Sequence, residues 1–159
     1  MTETQARAAE RDDVLAGRSA VVTGAGSGIG QAIAARLEAA GMDVLAVDLE
    51  GTDFRADLAT RAGNEAAIAE ALERYGRLDA VIANAGLQHV APVAEFPEDR
   101  WDLLLSVMLT SPFLLAKHAW DALRPASASS RGVGRACVSV IGSRPPGSGR
   151  RCRRRSRRT

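Results

Sequence analysis

At 159 residues with 46% of them hydrophobic, the chain is sized for one domain with a real core, and with only 4% aromatics that core must be built from Ala, Val, Leu and Ile. The net charge of +2 conceals a sharp difference between the two ends, while the two cysteines, Cys137 and Cys152, with no Cys-x-x-Cys pair and no metal-ligand cluster, suit a reducing cytoplasm and give no disulfide scaffold or zinc site. The polar start lacks the apolar stretch of a secretory signal, and the longest charge-free apolar run, residues 103–116, is shorter than the ~20 residues a membrane helix needs, so no membrane partner is expected.

Residues 1–17 are polar and Ala-rich and read as a lead-in. Residues 19–23 form a short β-branched run stopped by Gly24, a buried strand. Ile29, Ile33 and Leu37 then recur at four-residue steps up to Gly41, one face of a helix. Residues 44–47 read as a second buried strand ending at Asp48, residues 54–58 as a short third, and residues 60–75 as an Ala- and Glu-rich helix stopped by Gly76. Residues 78–83 form a fourth strand, closed by Asn84-Ala85-Gly86.

Across residues 97–123, Trp101, Leu104, Leu105, Met108 and Leu109 recur at three- and four-residue steps. This predicts a long amphipathic helix, loosened or kinked by Pro112. Residues 136–141 suit a last strand. Strands alternating with helices imply parallel pairing through right-handed crossovers, hence an α/β, doubly wound parallel sheet over residues 18–143.

Between the first strand and first helix lies Thr23-Gly24-Ala25-Gly26-Ser27-Gly28-Ile29-Gly30. A loop there aims backbone N–H groups at one spot, and the helix N-terminus adds about half a positive charge. Pyrophosphate is the natural occupant, because glycines let it reach the backbone unobstructed. The Gly-x-Gly-x-x-Gly spacing fails, since Ile29 stands where the third glycine would fall. Gly24-x-x-x-Gly28-x-Gly30 fits; a purely structural turn is the alternative. Asp48 ends the second strand 18 residues after Gly30, where an acid accepts hydrogen bonds from the adenosine ribose hydroxyls. It would repel a 2′-phosphate, and neither Ser27 nor Leu49 supplies a countering cation, so NAD is favoured over NADP. A solvated strand-end aspartate is the alternative.

Thr23-Gly-x-x-x-Gly-Ile-Gly, Asp57-Leu58 and Asn84-Ala85-Gly86 stand in the order and places of the short-chain dehydrogenase/reductase family, which residues 16–125 resemble. The resemblance implies a Rossmann-like fold, here incomplete on its C-terminal side. It also implies an adenine ring flanked by Asp57 and Leu58, and a cofactor site lined by Asn84, Ala85 and Gly86. Residues 86–96 look like the matching stretch of bacterial D-3-hydroxybutyrate dehydrogenases, where the glutamine, here Gln88, holds the substrate carboxylate; a surface glutamine with no role is the alternative. His89 and His118 lack partner acids at a telling spacing and read as structural or solvated. Met108 stands where many members carry an asparagine that holds a relay water. It fits the apolar stripe and reads as core.

The family moves its proton with a Tyr whose pKa is lowered by a Lys four residues on and by the cofactor's charge. Here Tyr75 is the only Tyr, followed four residues later by Asp79, and Lys117 is the only Lys. Ser143, at the end of the last strand, resembles the family's carbonyl-orienting serine; a loop serine is the alternative. Residues 1–121 carry ten basic and nineteen acidic side chains, a net of −9, whereas residues 122–159 carry eleven arginines and no acid. Residues 144–159 have no apolar periodicity and are expected to be disordered. Their Arg, Pro, Gly, Ser and Cys content is that of GC-rich DNA read out of phase, so a frameshift is expected. A Tyr-x-x-x-Lys continuation in another downstream frame is its test.

Three readings follow. The first is an NAD-dependent oxidoreductase of hydroxybutyrate dehydrogenase type, with a small-molecule substrate and inactive as this chain. The second is a non-catalytic NAD-binding remnant. The third is a nucleic-acid binder acting through its tail, whose eight arginines would hold phosphate backbones without sequence specificity. Full-length relatives are homo-oligomers, an assembly not carried over to this chain.

Overall fold

A computed structural model describes residues 15–123 and, for the backbone alone, residues 137–140. The expectations for residues 1–14, Ser143 and the tail 144–159 lie outside the described residues.

Five strands, β1 (Ser19–Thr23), β2 (Asp43–Asp48), β3 (Phe54–Arg55), β4 (Ala80–Ala83) and β5 (Cys137–Val140), form one parallel sheet in the order β3-β2-β1-β4-β5. β1 sits at its centre and is buried along its whole length, as a strand covered on both faces must be. Successive side chains point to opposite faces. Val21 therefore packs with Leu45, Val47, Val81, Ile68 and Leu115 on one side. Val22 packs with Ala25 and Ala34 on the other.

Helix α1 (Gly28–Ala39) covers the Val22 face. Helices α2 (Arg61–Tyr75) and α4 (Ser111–Leu123) cover the Val21 face through Ala67, Ile68, Ala71, Leu115, Ala119 and Leu123. Half of these contacts are alanines, which bring the helix backbones close to the sheet, and Ile68, Leu115 and Leu123 fill the space between.

Several expectations need correction. The third strand covers Phe54–Arg55 rather than residues 54–58, because Asp57 folds a turn: its Oδ1 accepts the Ala59 amide at 2.9 Å and its carbonyl the Thr60 amide at 3.1 Å. The long helix is three pieces: α3 (Glu98–Leu105), a π-helical turn (Ser106–Thr110) and α4. Pro112 lacks an N–H, and its ring would strike the carbonyl of Met108 in a regular helix. The wider turn just before it accommodates both defects.

That turn also offsets the apolar stripe read from the sequence. Leu114, Leu115, Ala119 and Leu123 are buried, whereas Trp101, Leu105, Met108, Leu109, Phe113 and Trp120 are exposed. Met108 is 41% exposed, so the expectation that it belongs to the core fails. By length and composition the continuous helical run Glu98–Leu123 is apolar enough to cross a membrane, contrary to the shorter limit set by the charge-free stretch. Its last half instead packs into the core cluster beside β4.

Candidate functional site

The strand order reverses at β1, since the chain runs outward to β3 and returns to β4 on the other side. A crevice opens at such a switch point, outside the C-terminal ends of the strands. The loops after β1 and β4 meet there and are stitched together. Thr23 Oγ1 accepts the amides of Asn84 at 3.0 Å and Ala85 at 3.1 Å, and donates to the Ile82 carbonyl at 3.4 Å. Asn84 Nδ2 donates to the carbonyls of Thr23 at 3.1 Å and Gly24 at 3.2 Å. Thr23 is thus wholly buried and shapes the loop from beneath, while Asn84 both braces it and lines the crevice.

The three spaced glycines are needed for different reasons. Gly24 has φ +67°, and a Cβ there would come within 2.8 Å of Ala85 Cα. Gly30 is buried, and a Cβ on it would overlap the Gly24 carbonyl. Gly28 has open space around it but a φ of +56°, so its requirement is purely conformational. Ser27 occupies the N-cap of α1 in an extended conformation and makes no side-chain cap. The first amides of α1 are therefore left without a helical partner, beside a positive dipole end.

A cleft of ≈ 510 Å³ runs from this helix end across the sheet edge. Gly24, Ser27, Gly28 and Ile29 form one wall, Asp48, Leu49, Ala56, Asp57 and Leu58 another, and Asn84, Ala85, Gly86, Leu87 and Val107 the third. No Lys or Arg is among these lining residues. Ile29, read from the sequence as part of a helix face, is 68% exposed and belongs to the cleft. The Asp48 carboxylate accepts the Gly26 amide at 2.9 Å on Oδ2 and the Leu49 amide at 2.7 Å on Oδ1. Its position is set by the backbone around it.

Leu58 is buried, whereas Asp57 is exposed. The Leu58 carbonyl is held by Asn64 Nδ2 at 2.9 Å, which also reaches the Thr60 carbonyl at 2.6 Å, while Asn64 Oδ1 accepts Ser111 Oγ at 2.6 Å. Both side chains of this pair are buried. The sequence reading passed over Asn64, although it stands in line with Ala67, Ile68 and Ala71 on the buried face of α2. A polar residue on an apolar face was the available signal. Val107, carried into the cleft by the π turn, had none.

Gln88 is exposed on the loop after β4, one residue past the lining Leu87. His89 packs edge-on against Phe96, with centroids 5.2 Å apart, and Phe96 against Trp101 at 6.2 Å. Tyr75 ends α2, away from the cleft, and burial pushes its phenol up, with Arg74 opposing and Asp43 and Glu38 adding to the rise. That is the opposite of an activated phenol. Lys117 is exposed on α4.

Residues 18–146 match the model of the short chain dehydrogenase family. The chain belongs to that family. It is 38% identical over 123 residues to an uncharacterized oxidoreductase of Bacillus subtilis, covering 66% of this chain and 48% of that protein. It is 35% identical over 128 residues to the D-beta-hydroxybutyrate dehydrogenase of Cupriavidus necator, covering 70% and 50%. A D-threitol dehydrogenase of Mycolicibacterium smegmatis is 34% identical over 134 residues, covering 74% and 52%.

Among solved structures, a Burkholderia cenocepacia short chain dehydrogenase in complex with NADP superposes with a TM-score of 0.66 at 28% identity, covering 69% of this chain and 52% of that one. A Brucella melitensis 3-ketoacyl-(acyl-carrier-protein) reductase complexed with NADH gives 0.63 at 27%, covering 68% and 51%. The chain spans about half the length of the curated relatives it matches. As a member of this family it has an α/β Rossmann-type sheet, and its cleft fits a dinucleotide. Glycines at 24 and 30 let the phosphate loop close against itself and Asn84-Ala85 where a Cβ would collide, the uncapped helix end lines the cleft, and a fixed carboxylate stands across it.

Proposed function

We propose that this chain is the NAD-binding portion of a cytoplasmic dehydrogenase acting on a small hydroxy acid such as 3-hydroxybutyrate. The observation that carries the reading is Asp48: a carboxylate held by two backbone amides, facing a cleft with no lysine or arginine among its described lining residues. The amides at the start of α1 bind the diphosphate. Asp48 accepts the ribose hydroxyls and repels a 2′-phosphate. Leu58 and Asp57 border the adenine, and Asn84, Ala85 and Gly86 border the rest of the dinucleotide. The nicotinamide would accept or deliver the hydride. Gln88 donates its amide N–H to the substrate carboxylate, which motivates the hydroxy-acid assignment. Ser143 orients the substrate oxygen.

A hydride transfer to a ketone also needs a proton, and these 159 residues contain no Tyr-x-x-x-Lys. We therefore infer dinucleotide binding without turnover for this chain. The test is calorimetric titration of the full chain with NAD and NADP, beside an assay of NADH absorbance with 3-hydroxybutyrate. Heat from NAD, a weaker response to NADP and a flat absorbance trace are expected. Silence from NAD at millimolar concentration with folded protein would overturn the reading. So would NADH formation, for its inactive half. Asp48→Asn should narrow the NAD preference by about tenfold, the worth of roughly 1.4 kcal/mol.

A further inference from the structure

Resting on that reading, we infer that Gly26, which is not one of the three spaced glycines, is a positioning residue that sets the NAD-over-NADP preference through Asp48. Its amide donates to Asp48 Oδ2 at 2.9 Å. A Cβ on Gly26 would overlap the Glu50 carbonyl and stand 3.0 Å from Asp48 Oδ2 and 3.1 Å from its Cγ. From the other side, Gly51 turns with φ +75° so that a Cβ on it would lie 3.1 Å from the Gly26 carbonyl. The Ala25 amide continues the pairing of β1 with β2 by donating to the Val47 carbonyl at 3.2 Å. The loop after β2 is thus folded down onto the phosphate loop, and the missing side chain at position 26 is what lets it close.

The consequence is electrostatic. A carboxylate fixed by two amides before any ligand arrives meets the ribose hydroxyls without losing side-chain entropy. It also cannot swing away to make room for a 2′-phosphate. A mobile one would do both. Gly26 is not among the residues of positive φ, so alanine is conformationally allowed there and acts only through its Cβ. That Cβ must push the Glu50 carbonyl outward, and the strand end bearing Asp48 goes with it.

The test measures dissociation constants for NAD and NADP by calorimetry on the full chain. Four proteins are compared: wild type, Gly26→Ala, Asp48→Asn and the double variant. Gly26→Ala is expected to lower the NADP-to-NAD ratio of dissociation constants by about tenfold, and to add almost nothing in the Asp48→Asn background. A merely structural role would weaken both nucleotides alike and leave their ratio unchanged. That result overturns the inference while the dinucleotide reading stands; binding of neither nucleotide by wild type overturns both. Should Gly26→Ala fail to fold, Gly51→Asn presses on the Gly26 carbonyl from the other side of the same loop contact, with a residue that tolerates positive φ. A smaller shift of the ratio in the same direction supports the inference, and an unchanged ratio overturns it.

Discussion

Asn64 ties three partners together outside the cleft lining. Its amide satisfies two carbonyls, one of them that of the cleft-lining Leu58, and its oxygen accepts the Ser111 hydroxyl. Replacing it with Ala strands buried partners, each costing about 1–3 kcal/mol. Asn64→Ala is expected to lower unfolding free energy by about 2–4 kcal/mol in urea titration. Ser111→Ala removes one bond, and about 1 kcal/mol is expected.

Asp79 supplies a pH dependence. Burial pushes its carboxyl up, but the Arg77 guanidinium, the Ser19 amide and the charge of Arg18 together hold it below the ordinary carboxylate value. Arg77 reaches it at 2.8 and 2.6 Å, and Ser19 N at 3.0 Å. A depressed folded-state pKa contributes stability that is present above the unfolded value near 3.8 and lost as pH falls through the folded one. Asp79→Asn should therefore cost about 1 kcal/mol at pH 7 in chemical denaturation. The gap from wild type should close progressively below about pH 3.8.

At the scale of elements, helix ends define the site's frame. α2 begins at Thr60, whose hydroxyl accepts the Gly63 amide at 3.0 Å, and ends at Gly76 with φ +67° and its amide on the Leu72 carbonyl. A Cβ on Gly76 would meet nothing within 4 Å, so alanine there incurs only the left-handed backbone penalty. Gly76→Ala is expected to cost about 1 kcal/mol by thermal unfolding, with dinucleotide affinity unchanged. α1 contrasts with α2, having an N-cap serine that makes no cap bond. Its first residues line the cleft, where the proposed diphosphate would meet their amides.

At the scale of the molecule, the outer side of Glu98–Leu123 is the anomaly. Leu109 is 67% exposed, Phe113 64% and Trp120 63%, and they recur at helical spacing on a surface no described element covers. Apolar patches of this kind promote association. The chain is expected to self-associate or aggregate with rising concentration, as read by sedimentation velocity. Leu109→Gln combined with Phe113→Gln should raise the monomer fraction without altering the far-ultraviolet spectrum.

The α/β alternation, the glycine bend, Asp48 and the Asn84 turn were all legible in the sequence, because each rests on local rules: periodicity of two or 3.6, backbone freedom at glycine, and an acid at a strand end. The missing Tyr-x-x-x-Lys was equally plain, being a matter of composition. Tertiary structure alone decided what crosses between elements. It seated the Leu49–Gly51 loop on Gly26, put Asn64 against Ser111 forty-seven residues away, and made Thr23 a brace rather than a lining group. It also turned the apolar stripe outward, because a π turn ahead of Pro112 breaks the period on which a sequence pattern depends. Local spacing specifies which groups an element carries, but only packing fixes which of them meet.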